Sequence, residues 1–112
     1  MEKLYSKITK VINNRKTLLG VGPMSLNVVD SAIELADKFK TPIMLIASRR
    51  QIESEKYGGG YVNNWSTKKF SNYVKKKRKT SNIYLARDHG GPWQNNIDVE
   101  KKVSLKQAML SA

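Results

Sequence analysis

The sequence contains no cysteine and a single histidine, His89. Without cysteine the chain has neither disulfides nor thiolate metal ligands, and its composition is compatible with either redox compartment. Long apolar segments are also missing, because no run approaches the roughly 20 residues that a membrane helix needs. The first 16 residues have scattered charges and no apolar core of the secretory type. We therefore expect a cytoplasmic protein without a membrane partner.

Acidic residues are scarce, since 9 Asp and Glu face 21 Lys and Arg and the net charge is +12. Residues 75–79 are an unbroken run of cations. Such a cluster is either a face that binds a polyanion or a solvated helix end, where the helix dipole favours cations. Bidentate phosphate recognition favours arginine, and the cations here are mostly lysine. We therefore favour the solvated helix end and do not expect nucleic acid as a partner, although the field would attract small anions.

The apolar residues form three short runs, near residues 18–22, 43–47 and 82–86. Each run has the length of a strand, and the second also lacks alternation, which suits a strand covered on both faces. Apolar residues at helical spacing predict helices between the runs: over 4–12, from a cap at Ser25 or Asn27 to Phe39, from a cap at Ser66 to about 77, and from a cap at Asp98 to Met109. Trp65 and Phe70 have the spacing of a hydrophobic staple. The alternation of strands and helices predicts an α/β fold with three adjacent parallel strands.

Polar residues follow the second and third of these strands. In parallel α/β proteins, binding and catalytic groups gather at the carboxyl ends of the strands. We therefore expect two groups of residues along one rim of the sheet: Ser48, Arg49, Arg50 and Gln51 after the second strand, and Arg87, Asp88, His89 and Gly90 after the third.

Asp88 and His89 are the main candidates for chemistry. An aspartate directly after a buried strand can transfer protons, and a histidine can ligate a metal or act as an acid or base. Equally, Asp88 could cap the glycine turn that follows it, and His89 could pack beside Trp93. The dipeptide alone leaves both interpretations open.

The arginines of the rim are candidates for holding a phosphate or carboxylate group. The alternative is that Arg49, Arg50 and Arg87 pair with the acids at residues 53, 55 and 88. The glycine run at residues 58–60 could surround a phosphate with backbone N–H groups, or it could be a flexible loop. It lacks the Lys-Ser/Thr pair of a P-loop.

Four motifs, taken in order, resemble those of a known family. They are GGY at residues 59–61, TKKF at 67–70, DHGGP at 88–92 and WQNN at 93–96. This ordered set resembles the N-terminal part of the class II tagatose-bisphosphate aldolases, and is closest to their non-catalytic, or accessory, subunit branch. The resemblance extends over roughly residues 15–112.

The resemblance implies a (β/α)8 TIM barrel that acts on ketose phosphates. Residues 1–112 would be the N-terminal portion of a single barrel domain, namely an N-terminal helix and the first three βα units. Because a complete barrel takes roughly 250 residues, the chain would be cut short and would leave two unpaired sheet edges.

The resemblance also implies roles for individual residues. Asp88 would be the catalytic acid and base, and His89 would bind a divalent metal, with zinc as the expected ion. The catalytic relatives have another histidine two positions before the aspartate, where this sequence has Ala86. A catalytic zinc site ordinarily needs three protein ligands, so this chain is expected to lack a complete metal site of its own. The residues that would bind the sugar phosphate are Ser48, Arg49, Arg50, Gln51, Arg87 and Gly90.

We therefore expect a component of a ketose-bisphosphate aldolase in carbohydrate metabolism, a truncated or accessory chain that is inactive alone. Its partners would be the sugar phosphate and either a catalytic aldolase subunit or a second copy of the chain. Two alternatives remain open: a non-enzymatic scaffold for a catalytic subunit, and a barrel of the ketose-phosphate 4-epimerase type.

Overall fold

The computed structural model describes residues 4–111, in which strands and helices alternate as the apolar pattern predicts. In that range the three strands are β1 (Leu19–Val21), β2 (Ile43–Ser48) and β3 (Ile83–Asp88). The helices are α1 (Leu4–Asn13), α2 (Leu26–Phe39), α3 (Thr67–Lys77), α4 (Asn96–Glu100) and α5 (Leu105–Ser111), with a short 3-10 helix at Glu55–Tyr57. Within these residues no helix combines the length and apolarity needed to cross a membrane.

The strands form one parallel sheet in the order β1-β2-β3. The prediction of three adjacent parallel strands is therefore confirmed. The prediction of a partial (β/α)8 TIM barrel is wrong, because the sheet over residues 4–111 is open and consists of three strands, with β1 and β3 each hydrogen-bonded to β2. A barrel of this class needs eight strands and a pairing that returns to the first one. Strand and helix alternation specifies the parallel neighbours but does not specify closure.

The core lies on one face of this sheet. Alternate residues of β2, Ile43, Leu45 and Ala47, are at most 3% exposed and face the helices. They belong to one buried cluster with Val29 and Ile33 of α2, and with Phe70 and Val74 of α3. The intervening residues of β2 are half-buried, so β2 is fully covered on one face only and the expectation of coverage on both faces is not met.

Local signals for two helix starts are confirmed. Ser25 precedes α2 and its Oγ accepts a hydrogen bond from the backbone N–H of Val28 at 3.3 Å. Ser66 caps α3 in the same way through the N–H of Lys69 at 3.2 Å. The rings of Trp65 and Phe70 lie 5.3 Å apart across this cap, as a hydrophobic staple requires.

Two helix predictions need correction. Phe39 ends α2 as predicted, but its side chain does not join the apolar stripe that the helical spacing indicated, because it is 63% exposed whereas Val29, Ile33 and Ala36 are buried. The single helix predicted from Asp98 to Met109 is two short helices, α4 and α5. Its cap is Asn95, whose Oδ1 accepts the N–H of Asp98 at 2.8 Å, while the Asp98 carboxylate is buried in other contacts.

Candidate functional site

The carboxyl ends of β2 and β3 lie side by side, with Ser48 and Asp88 as register partners. The turn after β2 is closed by a reciprocal pair of hydrogen bonds between Ser48 and Gln51. The backbone N–H of Ser48 donates to Gln51 Oε1 at 2.9 Å, and the N–H of Gln51 donates to Ser48 Oγ at 3.3 Å. Gln51 Nε2 also lies 3.0 Å from the sulfur of Met24. Both side chains therefore shape the turn, and they hold Arg50 exposed within it.

Arg49, the next residue of the turn, is a buried structural cation. Only 2% of it is exposed. Its Nε and Nη2 donate to the two carboxylate oxygens of Glu53 at 3.1 and 3.2 Å, a bidentate pair. Its Nη1 lies 3.4 Å from the carbonyl oxygen of Gly91 and 4.0 Å from Oδ2 of Asp98. The Arg49 guanidinium therefore joins the β2 turn to the segment after β3.

Asp98 is the second centre of this buried network. Its carboxylate accepts hydrogen bonds from the Ser111 hydroxyl at 2.6 Å, the Tyr57 hydroxyl at 2.9 Å and Asn95 Nδ2 at 3.0 Å. The Ser111 hydrogen bond is the main cause that lowers the pKa of Asp98, and the Tyr57 hydroxyl and Arg49 cation lower it further. The sequence predicted Asp98 as a helix cap. In the structure its carboxylate is instead buried among partners that include residues distant in the chain.

Arg87 is exposed, yet its guanidinium is partly covered and is held by partners within the chain. Its Nη1 donates to the carbonyl oxygens of Ile52 at 2.7 Å and Ser48 at 2.9 Å, and its Nη2 donates to Thr67 Oγ1 at 3.0 Å. Burial lowers the pKa of Arg87, the Arg49 cation lowers it further and Glu53 opposes this shift. Arg87 thus fastens the β2 turn to the start of α3.

Asp88 and His89 form an exposed pair at the end of β3. Their side chains are 61% and 70% exposed, and His89 Nε2 lies 3.3 Å from Asp88 Oδ2. The other carboxylate oxygen accepts the backbone N–H of His89 at 2.9 Å. His89 has a φ of 47°, in the left-handed region, so the chain turns sharply where the imidazole leaves the sheet.

A cleft of about 260 Å³ separates the two segments of the rim. Ser48, Arg49, Arg50, His89 and Gln94 line it. Among residues 4–111, the Arg50 guanidinium makes no hydrogen bond or ion pair through its side chain, in contrast to Arg49 and Arg87. The cleft therefore offers an unpaired guanidinium, an exposed imidazole and the Gln94 amide. The position of Gln94 in this cleft was not predicted from the sequence, although Gln94 lies in the WQNN motif.

The donor set does not fit a catalytic zinc site. Across the described residues, no three His, Cys, Asp or Glu side chains come together as a possible metal-binding group. Asp88 and His89 supply two donors, and the side chain at Ala86 supplies none. Zinc enzymes ordinarily provide three protein ligands, so the groups of this rim are better suited to an anion than to a metal.

No family model, curated protein or solved structure matches this chain. The similarity to class II tagatose-bisphosphate aldolases therefore remains a prediction that rests on the four motifs. Three of those motifs, at residues 59–61, 88–92 and 93–96, supply residues beside the rim.

Proposed function

We propose that this chain binds a ketose phosphate at the rim of its sheet, as an accessory component of a tagatose-bisphosphate-type aldolase. The observation that supports this most directly is the contrast between the arginines. Arg49 and Arg87 are engaged in internal contacts, whereas Arg50 is exposed and unpaired among the described residues, in the same cleft as His89.

The chemistry of this cleft suits a phosphate group. A guanidinium presents parallel N–H donors that match two phosphate oxygens, and such charge-assisted hydrogen bonds are stronger than neutral ones. The imidazole of His89 and the amide of Gln94 can donate to the remaining oxygens. The net charge of +12 also attracts anions to the surface.

An accessory role is favoured over independent catalysis. Asp88 remains the candidate for proton transfer, yet its carboxylate is largely exposed, and activated carboxylates are ordinarily partly desolvated. His89 does not complete a metal site with its neighbours, so we assign it a contact with the anion. In this proposal the catalytic subunit supplies the chemistry and this chain supplies a site for the phosphorylated sugar.

A non-enzymatic scaffold is the second candidate function, and the surface of α5 favours it. Leu105, Met109 and Leu110 are 56%, 58% and 82% exposed. Leu85 on the open edge of β3 is 41% exposed. Exposed apolar side chains and an unpaired strand edge are features of protein contacts.

Phosphate binding by Arg50 tests the main proposal. Isothermal titration with inorganic phosphate and with tagatose 6-phosphate should give measurable binding, and Arg50→Met should weaken both by about tenfold or more, since hydrogen bonds to charged groups contribute about 1.5–3 kcal/mol. Arg15→Met is the matched control, because Arg15 is exposed, carries the same charge and follows α1. Equal affinities for wild type and Arg50→Met would contradict the proposal, and an equal loss with Arg15→Met would show that the effect comes only from net charge.

A further inference from the structure

Arg50 also borders a second cleft, of about 300 Å³, whose walls do not include His89. Both clefts have Arg49 and Arg50 in their walls. Small-molecule sites are commonly about 300–1,000 Å³, so each cleft alone is at or below the lower end of that range. Because they share Arg50, the two together could hold one ligand that contacts this side chain and extends into both.

The backbone holds Tyr61 beside Arg50 in the wall of this second cleft. The N–H of Tyr61 donates to the carbonyl oxygen of Arg50 at 2.9 Å, and the N–H of Val62 donates to that of Gln51 at 3.2 Å. Gly60 makes this approach possible, since a Cβ there would overlap the backbone carbonyl of Gln51. The Tyr61 side chain is nevertheless 62% exposed, so its position is fixed while its ring remains accessible.

Most polar groups around the second cleft are already used. The Tyr57 hydroxyl and the Asn95 amide donate to Asp98, and the Glu53 carboxylate is paired with Arg49. The Asn96 amide has no side-chain hydrogen bond within residues 4–111, and the Tyr61 hydroxyl has a long contact of 3.9 Å with the sulfur of Met24. An aromatic ring and an amide are therefore the groups left for a ligand.

The two clefts differ in charge, which gives a bound ligand a direction. Both clefts share the paired Arg49 and the unpaired Arg50; the first adds His89 and has no acid in its walls. The second adds the carboxylate of Glu53. An anionic group is thus favoured on the His89 side, and an uncharged hydroxylated group is favoured on the Tyr61 side.

We infer that the second cleft is the subsite for the uncharged carbon chain of a sugar monophosphate, with Tyr61 and Asn96 as its specificity-determining residues. This inference rests on the proposed function for the position of the phosphate. The Tyr61 ring packs against the C–H groups of the sugar, and the Asn96 amide hydrogen-bonds to its hydroxyls. Arg50, between the clefts, holds the phosphate.

The test compares ligands that share the phosphate but differ in the sugar. Isothermal titrations with inorganic phosphate and with tagatose 6-phosphate are made on wild type, Tyr61→Ala and Asn96→Ala. We expect each variant to lose about fivefold to tenfold in affinity for tagatose 6-phosphate, which corresponds to one or two hydrogen bonds or ring contacts. Affinity for inorganic phosphate should change by less than about twofold on the same scale. Tyr5→Ala is the matched control, because Tyr5 is 79% exposed on α1.

Equal losses for the two ligands would overturn the inference, because Tyr61 would then act only through the backbone position of Arg50. Unchanged affinity for tagatose 6-phosphate in both variants would overturn it as well. Free tagatose separates this inference from the proposed function. If tagatose shifts the Tyr61 and Asn96 NMR signals while inorganic phosphate does not bind, the sugar subsite is supported and the phosphate proposal fails. If phosphate binds through Arg50 and tagatose shifts neither signal, the phosphate proposal is supported and the sugar subsite fails.

Discussion

Arg49 and Arg50 are adjacent in the chain and have opposite environments. Arg49 is 2% exposed and its guanidinium is shared between Glu53, Gly91 and Asp98. Arg50 is exposed and lies between two clefts without a side-chain partner among the described residues. The difference comes from the acidic side chains that pack against Arg49. An arginine paired in this way stabilises the protein, whereas an unpaired arginine remains available to a ligand.

The same contrast applies to the two side-chain pairs of the rim that include a carboxylate. The Arg49–Glu53 pair is buried, bidentate and connected to a network of hydrogen bonds. The Asp88–His89 pair is exposed and involves neighbours in sequence. Removing one partner of a buried pair strongly destabilises a protein, whereas exposed pairs contribute little to stability. The rim thus has a rigid inner part and an accessible outer part.

The largest effect should follow from removing the buried cation. Arg49→Met leaves the Glu53 carboxylate buried without its partner, which typically costs about 3–5 kcal/mol of unfolding free energy. Urea denaturation followed by circular dichroism measures this loss. Arg50→Met is the control, and it should lie within about 0.5 kcal/mol of wild type because it is exposed. Equal stability of the two variants would contradict the assignment of a structural role to Arg49 and not to Arg50.

Part of this arrangement is predictable from the sequence. The three apolar runs identify the strands because burial of short β segments is a local pattern, and Ser25 and Ser66 identify two helix starts because a cap acts within one turn. The barrel prediction failed because closure depends on elements far apart in the chain. The pairing of Arg49 with Glu53 was one of the alternatives that the sequence left open, whereas its contact with Asp98, distant in the chain, was not foreseen. The main partners of Arg87 are backbone carbonyls, which have no sequence signature.

A smaller loss should follow from Gly60→Ala. The new methyl group would overlap the backbone carbonyl of Gln51, so the segment of Tyr61 must move away from the β2 turn. Overpacking of this kind typically costs about 1–3 kcal/mol. Gly91→Ala is the control on the accessible part of the rim, where a Cβ would have open space around it. Thermal denaturation of the two variants measures the difference, and a destabilisation by Gly91→Ala equal to that by Gly60→Ala would contradict the contrast.

Acid should weaken the buried network through Asp98. Its pKa is lower in the folded chain than the value of about 3.9 expected after unfolding, chiefly through the Ser111 hydrogen bond. The ionised form is thus favoured by folding, so its contribution is complete above the unfolded pKa and disappears as the pH falls through the folded one. The stability difference between wild type and Asp98→Asn should therefore be constant from pH 7 to pH 5 and should shrink below about pH 4. A difference that grows on acidification would contradict the assigned direction.

The smallest effect should follow from Asp88→Asn. The Asp88 carboxylate is 61% exposed and its contact with His89 is solvated, so the change should cost less than about 1 kcal/mol in urea denaturation. Glu53→Gln makes the same chemical change in the buried pair and leaves Arg49 with the more distant Asp98 carboxylate, at 4.0 Å, as its counter-charge, so it should cost about 3–5 kcal/mol. The two substitutions differ in the burial of the carboxylate and in its partner. The ratio of their losses in unfolding free energy therefore compares the rigid inner part of the rim with its accessible outer part. If Asp88→Asn is the more destabilising of the two, Asp88 is a structural residue and the accessible part of the rim lies elsewhere. If it leaves stability unchanged, Asp88 remains an exposed carboxylate next to the proposed phosphate cleft, where its effect on tagatose 6-phosphate binding can be measured without interference from unfolding.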